Sequence, residues 1–139
     1  MTQENTIQTL AVDIGGSGIK VMILDQNGHP QTERSCVETP RPANPTAVIA
    51  AIVELAAGQG NFDRVTVGFP GVVHNGITKT AVNLSPDWVG FDLATKLFHL
   101  LGKLVRVAND ADIQGYAAIS EHGVELQNLR ATTRAGDIR

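Results

Sequence analysis

Hydrophobic positions arrive along this chain in short bursts, each closed by glycine, proline or asparagine. Thr9–Ile14 (TLAVDI) and Ile19–Leu24 (IKVMIL) are two such bursts, rich in branched residues and joined by Gly15-Gly16-Ser17-Gly18. Two strand-like runs across a small Gly/Ser linker predict a β-hairpin. Asp25–Pro30 (DQNGHP) is a second turn, centred on Asn27-Gly28, and the loose alternation of Gln31–Glu38 predicts a third strand of a meander. Thr39–Pro45 holds three prolines and reads as a loop. Thr46–Ala57 (TAVIAAIVELAA) follows as a largely buried helix, capped by Thr46 and ended by Gly58 and Gly60. Arg64–Gly68 predicts a fourth strand, Phe69-Pro70-Gly71 a tight turn, and Val72–Thr80 a small hairpin around Asn75-Gly76. Asp92–Leu101 reads as a helix with Asp92 at its cap, Leu104–Ala108 as a fifth main strand, and Asp110 to about His122 as a helix beginning at the strand end.

The order βββαβ(ββ)αβα joins three antiparallel strands to parallel strands reached through helices. It predicts an α/β domain with a mixed sheet flanked by helices. That is the ribonuclease-H-like layout of one half of the actin, hexokinase and chaperone ATPase fold. One domain, residues 9–125, is expected, after a flexible terminus over 1–8 and before a divergent tail over 126–139. The stretch Gln127–Arg139 has three arginines and no clear period, and it does not read as a further strand.

Composition narrows the picture. The chain has 139 residues, 42% hydrophobic and 18% charged, a globular balance. Its net charge of -3 is scattered, so no basic block suggests nucleic acid and no basic amphipathic helix suggests a membrane surface. Cys36 is the sole cysteine and reads as a packed or half-exposed thiol, with no internal partner and no zinc cluster. No secretory leader is read at the start, and no apolar run reaches the roughly 20 residues that span a bilayer. A cytoplasmic location is the expectation. His29, His74, His99 and His122 fall at no metal-binding spacing.

Two constellations sit at strand ends. In the first, Asp13 precedes the Gly15, Gly16, Ser17, Gly18 turn, with Lys20 beyond it. Small residues let a phosphate approach the backbone, and glycines reach dihedrals that aim several N–H groups inward. Asp13 can hold a metal-bound water beside phosphates, which makes it a candidate Mg²⁺ contact. A plain glycine turn explains the spacing equally well, and Lys20 can simply face solvent. The second constellation is Asn109-Asp110-Ala111-Asp112, at a junction of strand and helix. Ligands of open α/β sheets gather at the carboxyl ends of strands. A carboxylate there can take a proton from a sugar hydroxyl as it attacks phosphorus, and the neighbouring amide can hold a second hydroxyl. Helix capping by Asn109, with acids favoured by the helix dipole, is the competing explanation. On the catalytic reading Asp110 is the base, and Asp112 is structural.

A third motif, Gly68-Phe69-Pro70-Gly71-Val72-Val73, sits at another strand end, with Asn83-Leu84 and Trp88 downstream. Asn83 is a candidate contact for sugar hydroxyls. Trp88 can stack on a sugar or fill the core, and core packing is the preferred reading.

Taken together these segments resemble the ROK family of sugar kinases, sugar-responsive repressors and related reading frames, in its polyphosphate- or ATP-dependent glucokinase branch. LAVDIGGSGIK (Leu10–Lys20) is similar to that family's first phosphate motif. VGFPGVV (Val67–Val73), AVNLSPDWVG (Ala81–Gly90) and VANDADIQG (Val107–Gly115) are similar to its sugar-side motifs, in order. The resemblance implies that Asp110 is the catalytic base, and that Asn109, Asn83 and Gly71 lie on the sugar. It also implies that Asp13 and the Gly15–Gly18 turn, with Lys20, face the phosphoryl donor (ATP or polyphosphate) and Mg²⁺. A hexose is the implied substrate.

The same resemblance implies a family about twice this length, whose second half opens with another glycine-rich phosphate strand. Here the similarity fades after Val124-Glu125-Leu126, and Ala118 stands where many members have a glutamate. The expectation is a shortened kinase half with little or no activity by itself. The rival is a non-catalytic sugar-binding or interaction module that self-associates, as a homodimer for example. The family's repressors carry a helix-turn-helix ahead of the phosphate motif, and too few residues precede Asp13 to hold one.

Overall fold

A computed structural model describes residues 7–80 and 83–109. Its strands are β1 (Thr9–Ile14), β2 (Gly18–Leu24), β3 (Ser35–Glu38), β4 (Arg64–Phe69), β5 (Val73–His74), β6 (Ile77–Thr78), β7 (Phe91–Asp92) and β8 (Val105–Asn109). Its helices are α1 (Pro45–Ala57) and α2 (Leu93–Leu101), with one turn of 3-10 helix at Pro86–Trp88. Five strands form the main sheet in the order β3-β2-β1-β4-β8, and β5-β6-β7 form a small second sheet. β1–β2 and β2–β3 pair antiparallel, while β1–β4 and β4–β8 pair parallel. This is the expected meander followed by parallel strands.

Strand alternation decides which face is buried. Leu10, Val12 and Ile14 pair with Ile23, Val21 and Ile19 on β2, while Leu10 and Val12 also pair with Val65 and Val67 on β4. All are buried, and with Phe69 they form one apolar surface. Helix α1 covers it with Val48, Ile49, Ile52 and Ala56, and α2 adds Leu93 and Leu97. Each fully buried Leu, Ile or Val contributes about 1.5–3 kcal/mol. The alternate positions, Ala11 and Asp13 on β1 with Lys20 and Met22 on β2, lie on the other face and are half-buried or exposed.

Two boundaries differ from the sequence reading. Helix α1 is capped by Asn44, whose Oδ1 accepts the Ala47 N–H at 2.8 Å, with Pro45 at the first helical position. Proline needs no N–H partner there and is pre-set for helical φ, so the helix starts one residue before Thr46 and the cap falls on the asparagine. The third strand is also shorter than Gln31–Glu38. The Ile23 N–H goes to Thr32 Oγ1 at 3.0 Å, and Gln59 Nε2 donates to the Glu33 carbonyl at 2.9 Å. Side chains thus take the backbone groups that a ladder would use over residues 32–34. By contrast α2 is capped by Asp92 as expected, with Thr95 N–H on its Oδ1 at 3.1 Å, and it ends at left-handed Gly102 (φ 74°).

Trp88 is a core residue. It is fully buried between Phe69 and Phe91, with ring centroids 5.0 and 5.6 Å away, and its Nε1–H donates to the Ala43 carbonyl at 2.8 Å. The buried ring fastens the proline-rich loop before α1 to the small sheet. Cys36 is exposed, as are His29, His74 and His99. Among the described residues no helix is long and apolar enough to cross a membrane. The predicted helix from Asp110, together with Asp112, Ala118, His122 and the tail 126–139, lies outside the described residues.

Candidate active site

Parallel pairing brings the carboxyl ends of β1, β4 and β8 to one edge. Asp13 sits opposite Gly68, Gly68 opposite Ala108, and Phe69 opposite Asn109. With neighbouring strands roughly 5 Å apart, the ends of β1 and β8 stand about 10 Å from each other. The motif residues therefore share one rim: Asp13 and the glycine turn on β1, Gly71 just past β4, and Asn109 closing β8. Asp110, the next residue after β8, lies outside the described residues.

The turn after β1 is closed by the Gly15 N–H on the Gly18 carbonyl at 2.9 Å. The proline-rich loop is fastened to it. Thr39 donates its N–H to the Ser17 carbonyl at 3.1 Å and its hydroxyl to the Gly15 carbonyl at 2.7 Å. Arg41 Nη2 donates to the Gly16 carbonyl at 2.7 Å. The glycines here serve proximity rather than unusual dihedrals, because none of Gly15, Gly16 and Gly18 has a positive φ. A Cβ on Gly16 would meet the Asn83 Cβ at 3.2 Å. That close approach is what brings Asn83 onto the turn. Asn83 itself is held in the left-handed region, at φ 65°, a conformation asparagine tolerates better than most residues.

Gly71 has the tighter constraint. A Cβ there would fall 2.4 Å from the Thr80 carbonyl oxygen, so the two arms of the loop after β4 touch at a point where only glycine fits. The Val72 N–H donates to Thr80 Oγ1 at 2.9 Å and holds them together. Asn109 Nδ2 then donates to the Gly71 carbonyl at 3.0 Å, tying this loop to the end of β8.

A cleft of about 530 Å³ opens at this rim, lined by Gly16, Ser17, Arg41 and Asn83. Of these four described residues, Gly16 and Ser17 belong to the glycine turn and Asn83 follows the Gly68–Val73 motif. Arg41 was read only as part of a loop. Lys20 is exposed on the Asp13 face of the sheet and does not line this cleft. Lys20 and Asp13 face the same side in register, yet no ion pair joins them. No group of three or more His, Cys, Asp or Glu side chains that could hold a metal occurs among the described residues. Among the described residues the carboxylate next to the turn in the chain is Asp13. That suits Mg²⁺, which binds through one or two carboxylates plus waters and substrate phosphates rather than in an all-protein cage.

The sequence pattern of the ROK family matches residues 9–131. The chain belongs to the ROK family. It is 39% identical over 108 residues to the polyphosphate glucokinase of Mycobacterium tuberculosis (strain ATCC 25618 / H37Rv), a match covering 76% of this chain and 41% of that protein. Among solved structures it is similar to the inorganic polyphosphate/ATP-glucomannokinase of Arthrobacter sp. strain KM, with a TM-score of 0.74, 35% identity, and coverage of 80% of this chain and 47% of that one. It is also similar to a ROK family glucokinase from Streptomyces griseus in complex with glucose and AMPPNP, with a TM-score of 0.67, 30% identity, and coverage of 75% and 33%. The chain thus spans less than half the length of these ROK relatives, and its sheet is the mixed ROK sheet of the actin/hexokinase type.

Proposed function

We propose that this chain forms the sugar-and-phosphate wall of a hexose kinase that moves a phosphoryl group from ATP or polyphosphate to a sugar hydroxyl. The observation that carries this reading is the convergence at one sheet edge of two contacts, Asn83 on Gly16 and Asn109 on Gly71, immediately before Asp110 in the chain. Likeness to sugar kinases on both sequence and structure supports it.

On this reading the Asp110 carboxylate takes the proton of the attacking hydroxyl. The sugar oxygen–phosphorus bond forms as the phosphorus–oxygen bond to the donor breaks, and the donor leaves one phosphate shorter. Asn83 and Asn109 hold neighbouring hydroxyls, and Gly71 keeps the loop close enough for a sugar to sit between them. The Gly15–Gly18 turn admits the donor phosphates without side chains in the way, while exposed Lys20 adds positive charge nearby. Asp13 would hold Mg²⁺ through a bound water, and that ion would supply charge neutralisation on the transferring group.

Phosphoryl transfer rests on positioning and electrostatics, and it needs water shut out by a second wall. The chain covers less than half of its relatives. Its turnover alone is therefore expected to stand barely above background. A coupled glucose-phosphorylation assay with ATP and with polyphosphate, run beside Asp110→Asn, tests the assignment. A positioned general base contributes about 10²–10⁴-fold, so any turnover resolved above background should vanish in the variant. Turnover clearly above background that Asp110→Asn leaves unchanged overturns it.

A further inference from the structure

Among the described residues of the cleft, Arg41 is the one to which the family motifs give no task. Its Nη2 rests on the Gly16 carbonyl at 2.7 Å, at the mouth of the cleft shared with Ser17 and Asn83. That bond uses one of five guanidinium N–H groups. Among the described residues the only ion pair is His29 with Asp25, so no described carboxylate neutralises Arg41. The loop that bears it is fixed two residues earlier by both Thr39 bonds to the glycine turn. The guanidinium is therefore held in place before any ligand arrives, which reduces the ordering cost of binding.

The other lining groups are donors too. Asn83 has its amide, Ser17 its hydroxyl, and the N–H groups of Gly16 and Ser17 enter no backbone hydrogen bond among the described residues. Among the described residues no acidic side chain lines the cleft. A rim of donors around a fixed guanidinium, beside a turn with no side chain at Gly16, suits a tetrahedral oxyanion that accepts several hydrogen bonds at once.

We infer that Arg41 is a phosphate-positioning residue: its free guanidinium N–H groups grip a phosphate of the substrates while its Gly16 bond keeps them aimed into the cleft. The inference rests on the sugar-kinase reading and extends it to a residue outside the motifs. The phosphate can come from a donor chain or from a phosphorylated hexose, and the two sources are separable.

The test is isothermal titration of the 139-residue chain with tripolyphosphate, with glucose 6-phosphate, and separately with glucose. Wild type is compared with Arg41→Gln, Arg41→Lys and Arg34→Gln, the last removing the same charge from an exposed position away from the cleft. Affinity for at least one phosphate ligand should fall about tenfold or more in Arg41→Gln, the scale of a charged hydrogen bond. Arg41→Lys should recover part of it, and Arg34→Gln should bind as wild type. Glucose affinity should be unchanged in Arg41→Gln. The ligand that loses affinity identifies the source of the phosphate. Equal binding by wild type and Arg41→Gln, equal weakening by Arg34→Gln, or no phosphate binding by wild type overturns the inference. So does a parallel loss of glucose binding, which would mark Arg41 as a brace of the turn. The kinase reading fails separately, through absent glucose binding by wild type.

Discussion

Asn109 Nδ2 donates to the Gly71 carbonyl across 3.0 Å, so the last residue of β8 fixes the loop that leaves β4. This bond links two ROK motifs far apart in sequence. Replacing Asn109 with alanine leaves the Gly71 carbonyl without that donor and should cost about 1–3 kcal/mol if the group stays dry. Urea denaturation measures the cost. Glucose titration of the same variant should show weaker sugar binding, because the loop is no longer held against β8.

Gly71 and Gly18 should respond differently to alanine. At Gly71 the new Cβ would meet a main-chain oxygen at 2.4 Å, and backbone must move. At Gly18 it would lie 3.5 Å from the Val37 carbonyl, ordinary contact. Thermal unfolding should show Gly71→Ala destabilised by about 1–3 kcal/mol, with Gly18→Ala much nearer wild type.

Gly16→Ala probes the site more than the fold. The added methyl presses on the Asn83 side chain, which sits on the cleft rather than in the core. Sugar affinity should drop while the urea midpoint moves little. A large loss of stability with normal sugar affinity would contradict the close approach described above.

The core has its own test. Trp88→Phe keeps an aromatic ring but removes the indole N–H that the Ala43 carbonyl receives at 2.8 Å, leaving that carbonyl the longer bond from the Ser85 N–H at 3.3 Å. The lost hydrogen bond should cost about 0.5–1.5 kcal/mol, and Trp88→Ala should cost about 3–5 kcal/mol. Equilibrium unfolding of the two variants gives the comparison.

Acid stability carries a signature of the Asp25–Pro30 turn. The His29 backbone N–H donates to the Asp25 carboxylate at 2.9 Å and the Asn27 N–H at 2.8 Å; these bonds, His29 first, hold its pKa below the usual value. A carboxylate lowered in the folded state stabilises fully above its unfolded pKa, and this contribution fades as pH falls through that value toward the folded one. Wild type should therefore lose stability below about pH 4 more steeply than Asp25→Asn. Urea midpoints measured across that range decide it.

Much of the fold was legible because burial and period agree. The alternation of β1 and β2 names the face that meets α1, and the capping acid of α2 stands where its pattern begins. The sequence points to Thr46 as the cap of α1 because Pro45 reads as a loop residue, whereas it occupies the first helical turn and the cap falls on Asn44. The site was legible only as separate motifs. Nothing local in Asn83 says that it rests on Gly16, and nothing in Thr39–Pro45 says that Arg41 reaches the Gly16 carbonyl. Such contacts depend on how β1, the loop before α1 and the loop after β6 meet in space, and no spacing along the chain encodes that.

The central claim is that this sheet edge is a hexose site, and sugar binding tests it without requiring turnover. Glucose should be titrated into wild type and into Asn83→Ala, with heat or amide NMR shifts as the readout. Saturable binding by wild type that weakens about tenfold or more in Asn83→Ala is the predicted result, on the scale of a lost polar pairing in a site built to hold hydroxyls. No saturable binding by wild type, or binding that Asn83→Ala leaves untouched, would contradict it.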